Sequence, residues 1–201
     1  MANKEPQTSP DMIERFISKI TLDWSKNSDH AGLFEMRCLG EHRTPVIQRF
    51  APDAVHDAVD FAVQMNKVRL NIYMTINPID INASIRAGKG ATDTDILRAH
   101  YNFADADDEL GLEGLTELST LIEPEIVIIT GTTPHQRQHA YWSLTKPCED
   151  LELWGCKQVA IAARCGTDPS VVNPSRIMRV AGTVSYPNSG KSRISSIRPP
   201  L

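Results

Sequence analysis

Apolar residues fall at helical spacing in four stretches of this chain, with short apolar or alternating bursts between them. After a polar tail, residues 1–10, read as disordered, Ser9-Pro10-Asp11 opens a helix in which Ile13, Phe16, Ile17 and Ile20 share one face. A loop is expected over Ser25–Ala31. Leu33–Leu39 and Pro45–Phe50, separated by the polar turn Gly40–Thr44, predict a β-hairpin. Pro52-Asp53 begins a second helix to about Asn66, with Val55, Ala58, Val59, Phe61 and Ala62 inward. The run Val68–Ile76 is rich in β-branched and large apolar residues and predicts a buried strand, stopped by Asn77-Pro78. Gly88 and Gly90 bracket Lys89 in a stretch expected to be a mobile loop. Thr92-Asp93-Thr94-Asp95 then caps a short helix to about His100.

The next strand, from Tyr101, ends in acid at Asp105 and Asp107, and a helix from Glu109 to Ile122 follows with Leu115, Leu118, Leu121 and Ile122 inward. Glu125–Thr130 and His135–Leu144 predict a second hairpin around Gly131-Thr132-Thr133-Pro134, closed by Lys146-Pro147. A last helix, Glu149 to Arg164, carries Leu151, Leu153, Trp154, Val159 and Ile161, and the remainder reads as loops around short strands. At 201 residues the chain is expected to hold one domain, residues 11–201, with an N-terminal helical and hairpin part (11–66) and a core (67–198). It stops at Pro199-Pro200-Leu201 without a closing element, so we expect a fragment of a longer chain.

Composition narrows the class. With 41% hydrophobic residues the chain can bury a sizeable core. Its apolar runs, such as Ile126-Val127-Ile128-Ile129, are far too short to cross a membrane, and the N-terminus has no signal-peptide core. Cys38, Cys148, Cys156 and Cys165 form no CxxC pair, so four free thiols in an intracellular, cytoplasmic protein is the simple reading. The net charge of -4 says little, but its distribution says more. Asn102 to Glu125 holds eight acids and no Lys or Arg. From Lys157 onward Lys157, Arg164, Arg176, Arg179, Lys191, Arg193 and Arg198 face a single acid, Asp168. An acidic centre beside a basic third suits a site for metal ions and phosphate, and an unevenly charged surface is the plain alternative.

Three patches carry candidate chemistry. Side chains alternate on a strand, so Asp105 and Asp107 are expected on one face, where two carboxylates repel unless a cation joins them. Mg²⁺ or Mn²⁺, taking hard oxygen ligands and completing its shell with water and phosphate, fits that pair. Acids at a strand end also serve as turn residues and helix N-caps, and that reading stays open. The second patch is a strand face of His135, Arg137, His139 and Tyr141, where a His and an Arg can bind nucleotide phosphates. Helical His135 and His139 would instead point to zinc, but Pro134 and the pair Tyr141-Trp142 favour a strand. The third runs from Asp168 to Thr183. Arg176 and Arg179 can clamp phosphate or pair with the acidic strand, Asp168 can add a third carboxylate, and Lys191 and Arg193 extend the basic strip.

In this order the patches resemble the archaeo-eukaryotic primase superfamily, in particular the primase-polymerase domains of phages and plasmids. Asp105-Ala106-Asp107 resembles its Asp-x-Asp motif, His139-Ala140-Tyr141-Trp142 its His-x-Tyr-Trp strand, and Arg176 to Thr183 its Arg-x-x-Arg-x-Pro-Gly-Thr segment. Ala181 stands where Pro is common, and Asn173 where Asp is often found, which leaves Asp168 as the choice for third ligand. The resemblance covers roughly Val68 to Arg193, and the helix Asp11–Ile20 falls outside the core it describes. It implies an α/β (α+β) fold with a mixed sheet and an RRM-like catalytic core, and template-directed nucleotidyl transfer, as a DNA primase or DNA polymerase in DNA replication, by two-metal chemistry on NTPs or dNTPs. Asp105, Asp107 and Asp168 would hold Mg²⁺ or Mn²⁺. His139 would contact the triphosphate, and Arg137, Arg176, Arg179 and Lys191 phosphate or the single-stranded DNA template. Such domains are often fused to a C-terminal helicase. Two other classes compete: a non-catalytic template-binding module for replication initiation, and a metal-dependent nuclease.

Overall fold

The first predicted helix forms as α1, Pro10–Thr21, with Pro10 at its N-terminus, where its missing N–H costs nothing. Ile13, Phe16, Ile17 and Ile20 are all fully buried, each contributing roughly 1.5–3 kcal/mol by leaving water. The structure is a computed structural model and describes residues 6–22, 24, 32–186 and 193–197. The expected Ser25–Ala31 loop and Lys191 lie outside these, as do residues 1–5 of the polar tail. Of the tail's other residues, Thr8 donates to the Asn66 side chain and the Ser9 N–H to the Gly182 carbonyl.

The strands fall into two four-stranded antiparallel sheets, and the α+β class read from the sequence holds. Sheet I has the order β2 (Val46–Phe50), β1 (Phe34–Leu39), β3 (Asn71–Thr75), β7 (Ile177–Arg179). Sheet II has the order β10 (Ser196–Ile197), β5 (Ile126–Gly131), β6 (Arg137–Cys148), β4 (Ala99–Ala106). A small ribbon pairs β8 (Val184–Ser185) with β9 (Arg193–Ile194). Both predicted hairpins form, as β1–β2 and β5–β6. Helix α2 is Val55–Lys67, α3 Glu109–Leu121 and α4 Leu151–Cys165. One face of sheet I, with Phe34, Met36, Cys38, Ile72, Met74 and Met178, joins α1 and α2 in the main core. Tyr101, Phe103, Ile126, Ile128 and Tyr141 of sheet II enter the same core, where Phe16 packs on Tyr141 with ring centroids 6.0 Å apart. The other face of sheet II meets α3 and α4 through Ala104, Ala106, Ala140, Trp142, Leu115 and Cys165.

Several local expectations are corrected. The short helix after Thr92 is a single 3-10 turn, Asp93–Asp95, closed by a Thr92/Asp95 capping box, and His100 already belongs to β4. The strand expected from Val68 starts at Asn71 because Val68 caps α2 and is half exposed. Strand β6 runs through Lys146-Pro147 to Cys148 and begins at Arg137, leaving His135 in the turn. In α3, Leu121 and Ile122 face solvent, since the helix packs through Gly111 and Leu115. In α4 the inward face is Trp154, Gln158, Ala162 and Cys165, so Leu153 and Val159 are exposed. The Gly88–Gly90 loop is tied to sheet I. Buried Glu35 accepts from the Ala91 N–H, from Arg37 and from Arg49, and Arg49 also donates to the Lys89 carbonyl at 2.6 Å. Among the described residues no helix is long and apolar enough to cross a membrane.

Candidate active site

The acidic strand β4 lies at the edge of sheet II, so its outer backbone groups need partners that no strand provides. Helix α4 supplies them. Trp154 Nε1 donates to the Tyr101 carbonyl at 3.0 Å. The Gln158 side chain accepts from the Phe103 N–H and donates to the Phe103 carbonyl. The Asp168 N–H then donates to the Asp105 carbonyl at 3.2 Å, which brings the third predicted carboxylate beside the first. Asp105 projects into a cleft of about 400 Å³ between the sheets, lined also by Asp107, His139, Arg137, Arg176 and Arg179. Sheet I contributes Tyr73 and Leu39, and β5 contributes Thr130. The β5–β6 register shifts between Ile129 and Gly131, a bulge at which Thr130 is left unpaired.

Asp105 and His139 sit opposite each other in the β4–β6 register. His139 Nε2 stands 3.4 Å from Asp105 Oδ1, and its Nδ1 is 3.1 Å from the Tyr141 hydroxyl. Burial, then the charges of Arg179 and Arg176, push His139 down to about 3 against the pull of Asp107, so the imidazole is neutral. Burial, then the neighbouring Asp168, push the Asp105 carboxyl up to about 6 against Arg176, Arg179 and Arg137. Asp107 is also raised, first by burial and then by Asp105, with His139 and Arg137 opposing. Asp168 is lowered, chiefly by the backbone hydrogen bond from Ser170, with burial opposing and the Ser170 side chain and Arg176 assisting. The cap role open to these acids falls to Asp108, whose Oδ1 accepts from the Gly111 N–H at 2.7 Å and starts α3.

The two arginines of the third patch are held from different sides. Arg179 donates to Asn71 and to the Tyr73 hydroxyl and lies over the Tyr73 ring, 4.8 Å from its centroid. Arg176 donates to Ser170 and lies 3.8 Å from Asp168. The structure brings Asp105, Asp107, His139, Arg137, Arg176 and Arg179 together in one cleft, with Asp168 at its side. The sequence reading missed Tyr73, Thr130, Trp154 and Gln158. A polar Gln158 four residues after Trp154 on one helix face is the signal that would have found the last pair.

The fold compares closely with three solved structures. They are the AEP domain of the cyanophage S-2L primase-polymerase, primase RepB', and the catalytic domain of primase RepB' in complex with initiator DNA. The first matches with a TM-score of 0.66 at 21% identity over 96% of this chain and 91% of that one. The second matches at 0.63 and 14% over 93% of this chain and 56% of that one, and the third at 0.56 and 15% over 89% and 84%. This chain shares its fold with these three primase structures. No family model matches its sequence, and no curated protein does. Within the primase fold, the Gly-Thr end of the third motif is architectural. Gly182 turns at φ +83° against α1, and buried Thr183 donates to the Val180 carbonyl.

The donor set of the cleft suits a hard divalent ion. Asp105 Oδ1 is buried and accepts no hydrogen bond among the described residues, so an anionic oxygen is left for a cation to satisfy. No three His, Cys, Asp or Glu side chains among the described residues form a ready-made metal cage. Mg²⁺ and Mn²⁺ do not require one, since a couple of carboxylates plus water and phosphate complete their shell.

Proposed function

We propose that this chain catalyses template-directed nucleotidyl transfer, as a DNA primase or DNA polymerase acting on NTPs or dNTPs with Mg²⁺ or Mn²⁺. The observation that carries the reading is the facing of opposite charges in one cleft: Asp105 and Asp107 on one wall, Arg137, Arg176 and Arg179 around them. That arrangement accepts a polyanion at its basic side and a cation at its acidic end. Asp105 and Asp107, with Asp168 beside them, would hold the ions. When bound, such ions stabilise both the attacking and the leaving oxygen of an in-line displacement at phosphorus.

The side chains have separable tasks. A primer or initiating 3′-hydroxyl oxygen would form the new bond to the α-phosphorus as its proton passes to water, and the bond from the α-phosphorus to the bridging β-phosphate oxygen would break to release pyrophosphate. Arg176, Arg179 and Arg137 neutralise the triphosphate and the departing pyrophosphate through planar, charge-assisted donors. His139 is neutral, so it adds no charge. In the tautomer in which Tyr141 donates to Nδ1, its Nε2–H is free to donate to a phosphate oxygen in the cleft. Tyr73 and Asn71 fix the Arg179 guanidinium before any ligand arrives. A single-stranded DNA template would lie along the basic side, and Lys191 remains a candidate contact with it.

The test is an extension assay with single-stranded template, NTPs or dNTPs, and Mg²⁺ or Mn²⁺, with and without primer. Asp105→Ala plus Asp107→Ala is expected to lower extension by well over about 100-fold, because even the outer partners of a metal site are worth roughly 10–100-fold. Extension that survives the double substitution would sink the assignment. Template binding without synthesis would favour the non-catalytic module, and template shortening the nuclease.

A further inference from the structure

Strand β4 ends at Ala106, whose partner Gln138 closes the β4–β6 register. Asp107 is one residue further on, and Asp108 already caps α3. The strand alternation that places Asp105 and Asp107 on one face is therefore not enforced by the ladder at Asp107 itself. Something else must fix that residue if its carboxylate is to act together with Asp105. The turn before β6 supplies it. The His135 Nε2 atom lies 2.7 Å from the Asp107 backbone oxygen. A carbonyl only accepts, so the ring nitrogen is the donor and carries its proton on Nε2.

We propose that His135 is a positioning residue: its ring N–H clamps the Asp107 backbone and so sets the carboxylate of Asp107 against that of Asp105. The inference rests on the metal-dependent reading of the cleft and assigns His135 a task apart from direct phosphate contact. His135 sits four residues before His139, one in the turn and one in the strand, so a single segment orders the site twice. His139 faces the Asp105 side chain, and His135 holds the Asp107 main chain. The clamp also ties the β5–β6 turn, next to Arg137, to the acidic wall. The acidic and basic sides of the cleft then keep their spacing without a ligand between them.

The test compares wild type, His135→Ala and His135→Gln, the last keeping a side-chain N–H donor. Mn²⁺ alone is titrated into each protein and followed by electron paramagnetic resonance. NMR order parameters are measured for the backbone at Asp107 and Asp108 without metal. We expect His135→Ala to weaken Mn²⁺ binding by roughly tenfold or more, the range for partners that orient metal ligands. The order parameter at Asp107 should fall from the rigid value of about 0.85 towards 0.6. His135→Gln should recover part of both. Unchanged Mn²⁺ affinity with unchanged order at Asp107 overturns the proposal. A wild-type protein that binds no Mn²⁺ overturns the metal reading instead, and the order parameters still decide whether His135 fixes Asp107.

Discussion

At the residue scale the cleft is built by small permissions as much as by charged groups. Gly131 ends β5 beside Arg137, and a Cβ added there would lie 2.6 Å from Arg137 Nη2 and 3.0 Å from its Nε. The missing side chain is the space in which the guanidinium rests while facing Asp105 and Asp107. Gly131→Ala should push that flexible end aside with little effect on stability. The nucleotide KM should rise roughly tenfold, about the worth of one charge-assisted hydrogen bond, with the melting temperature nearly unchanged. Steady-state kinetics and a thermal melt check this together, and an unaltered KM would remove Arg137 from nucleotide binding. Arg137, His139 and Asp105 were legible because each stands on a strand whose alternation is visible in the sequence. Gly131 and Thr130 were not, because a bulge is a property of two paired strands and leaves no mark on one. Tyr73 was hidden for a related reason: its partner Arg179 lies 106 residues away.

At the element scale the decisive device is α4 used as a substitute strand along the free edge of β4. The apolar residues Leu151, Leu153, Trp154, Val159 and Ile161 mark the helix in the sequence, but the buried stripe also includes the polar Gln158, fully buried and paired on both sides. A polar residue inside is stable here because Asn102, both backbone groups of Phe103 and the Val171 carbonyl all bond to it. Gln158→Leu keeps the volume but strands the Phe103 N–H and C=O away from water. Each unpaired group costs about 1–3 kcal/mol. The urea midpoint should fall accordingly without a change in slope, because the folded state loses partners and not compactness. The Val171 contact adds a second consequence. The loop carrying Asp168 loses an anchor, so any Mn²⁺ affinity should drop in the same variant. A midpoint equal to wild type would mean that another group covers the β4 edge.

At the scale of the whole molecule, two sheets meet over one helix that the motif pattern left outside. Strands β1 and β2 come from the first 66 residues, yet β1 pairs with β3 and β3 with β7, so sheet I is assembled from both ends of the chain. Pairing of this kind runs through backbone groups and has no residue signature, which is why the motifs were legible and their assembly was not. The joint is the turn at Gly182. Its carbonyl accepts from Ser9 and its N–H donates to Ser195, so it ties the start of α1 to the segment after β7. A Cβ there would lie 2.7 Å from the Ser9 oxygen and 2.9 Å from the Ile13 nitrogen, both backbone atoms that cannot swing away. Gly182→Ala would also hold a non-glycine residue at φ +83°. The left-handed backbone costs about 1–2 kcal/mol, and the overpacking adds about 1–3 kcal/mol. For a chain of this size each kcal/mol lowers the melting temperature by roughly 2–4 °C. Gly155→Ala is the matched control, because a Cβ on that helical glycine meets nothing within 4 Å. It should gain about 0.5–1 kcal/mol from helix propensity. Calorimetry should therefore move the two variants in opposite directions. A Gly182→Ala protein as stable as wild type would show that α1 docks on the third motif without needing that close approach.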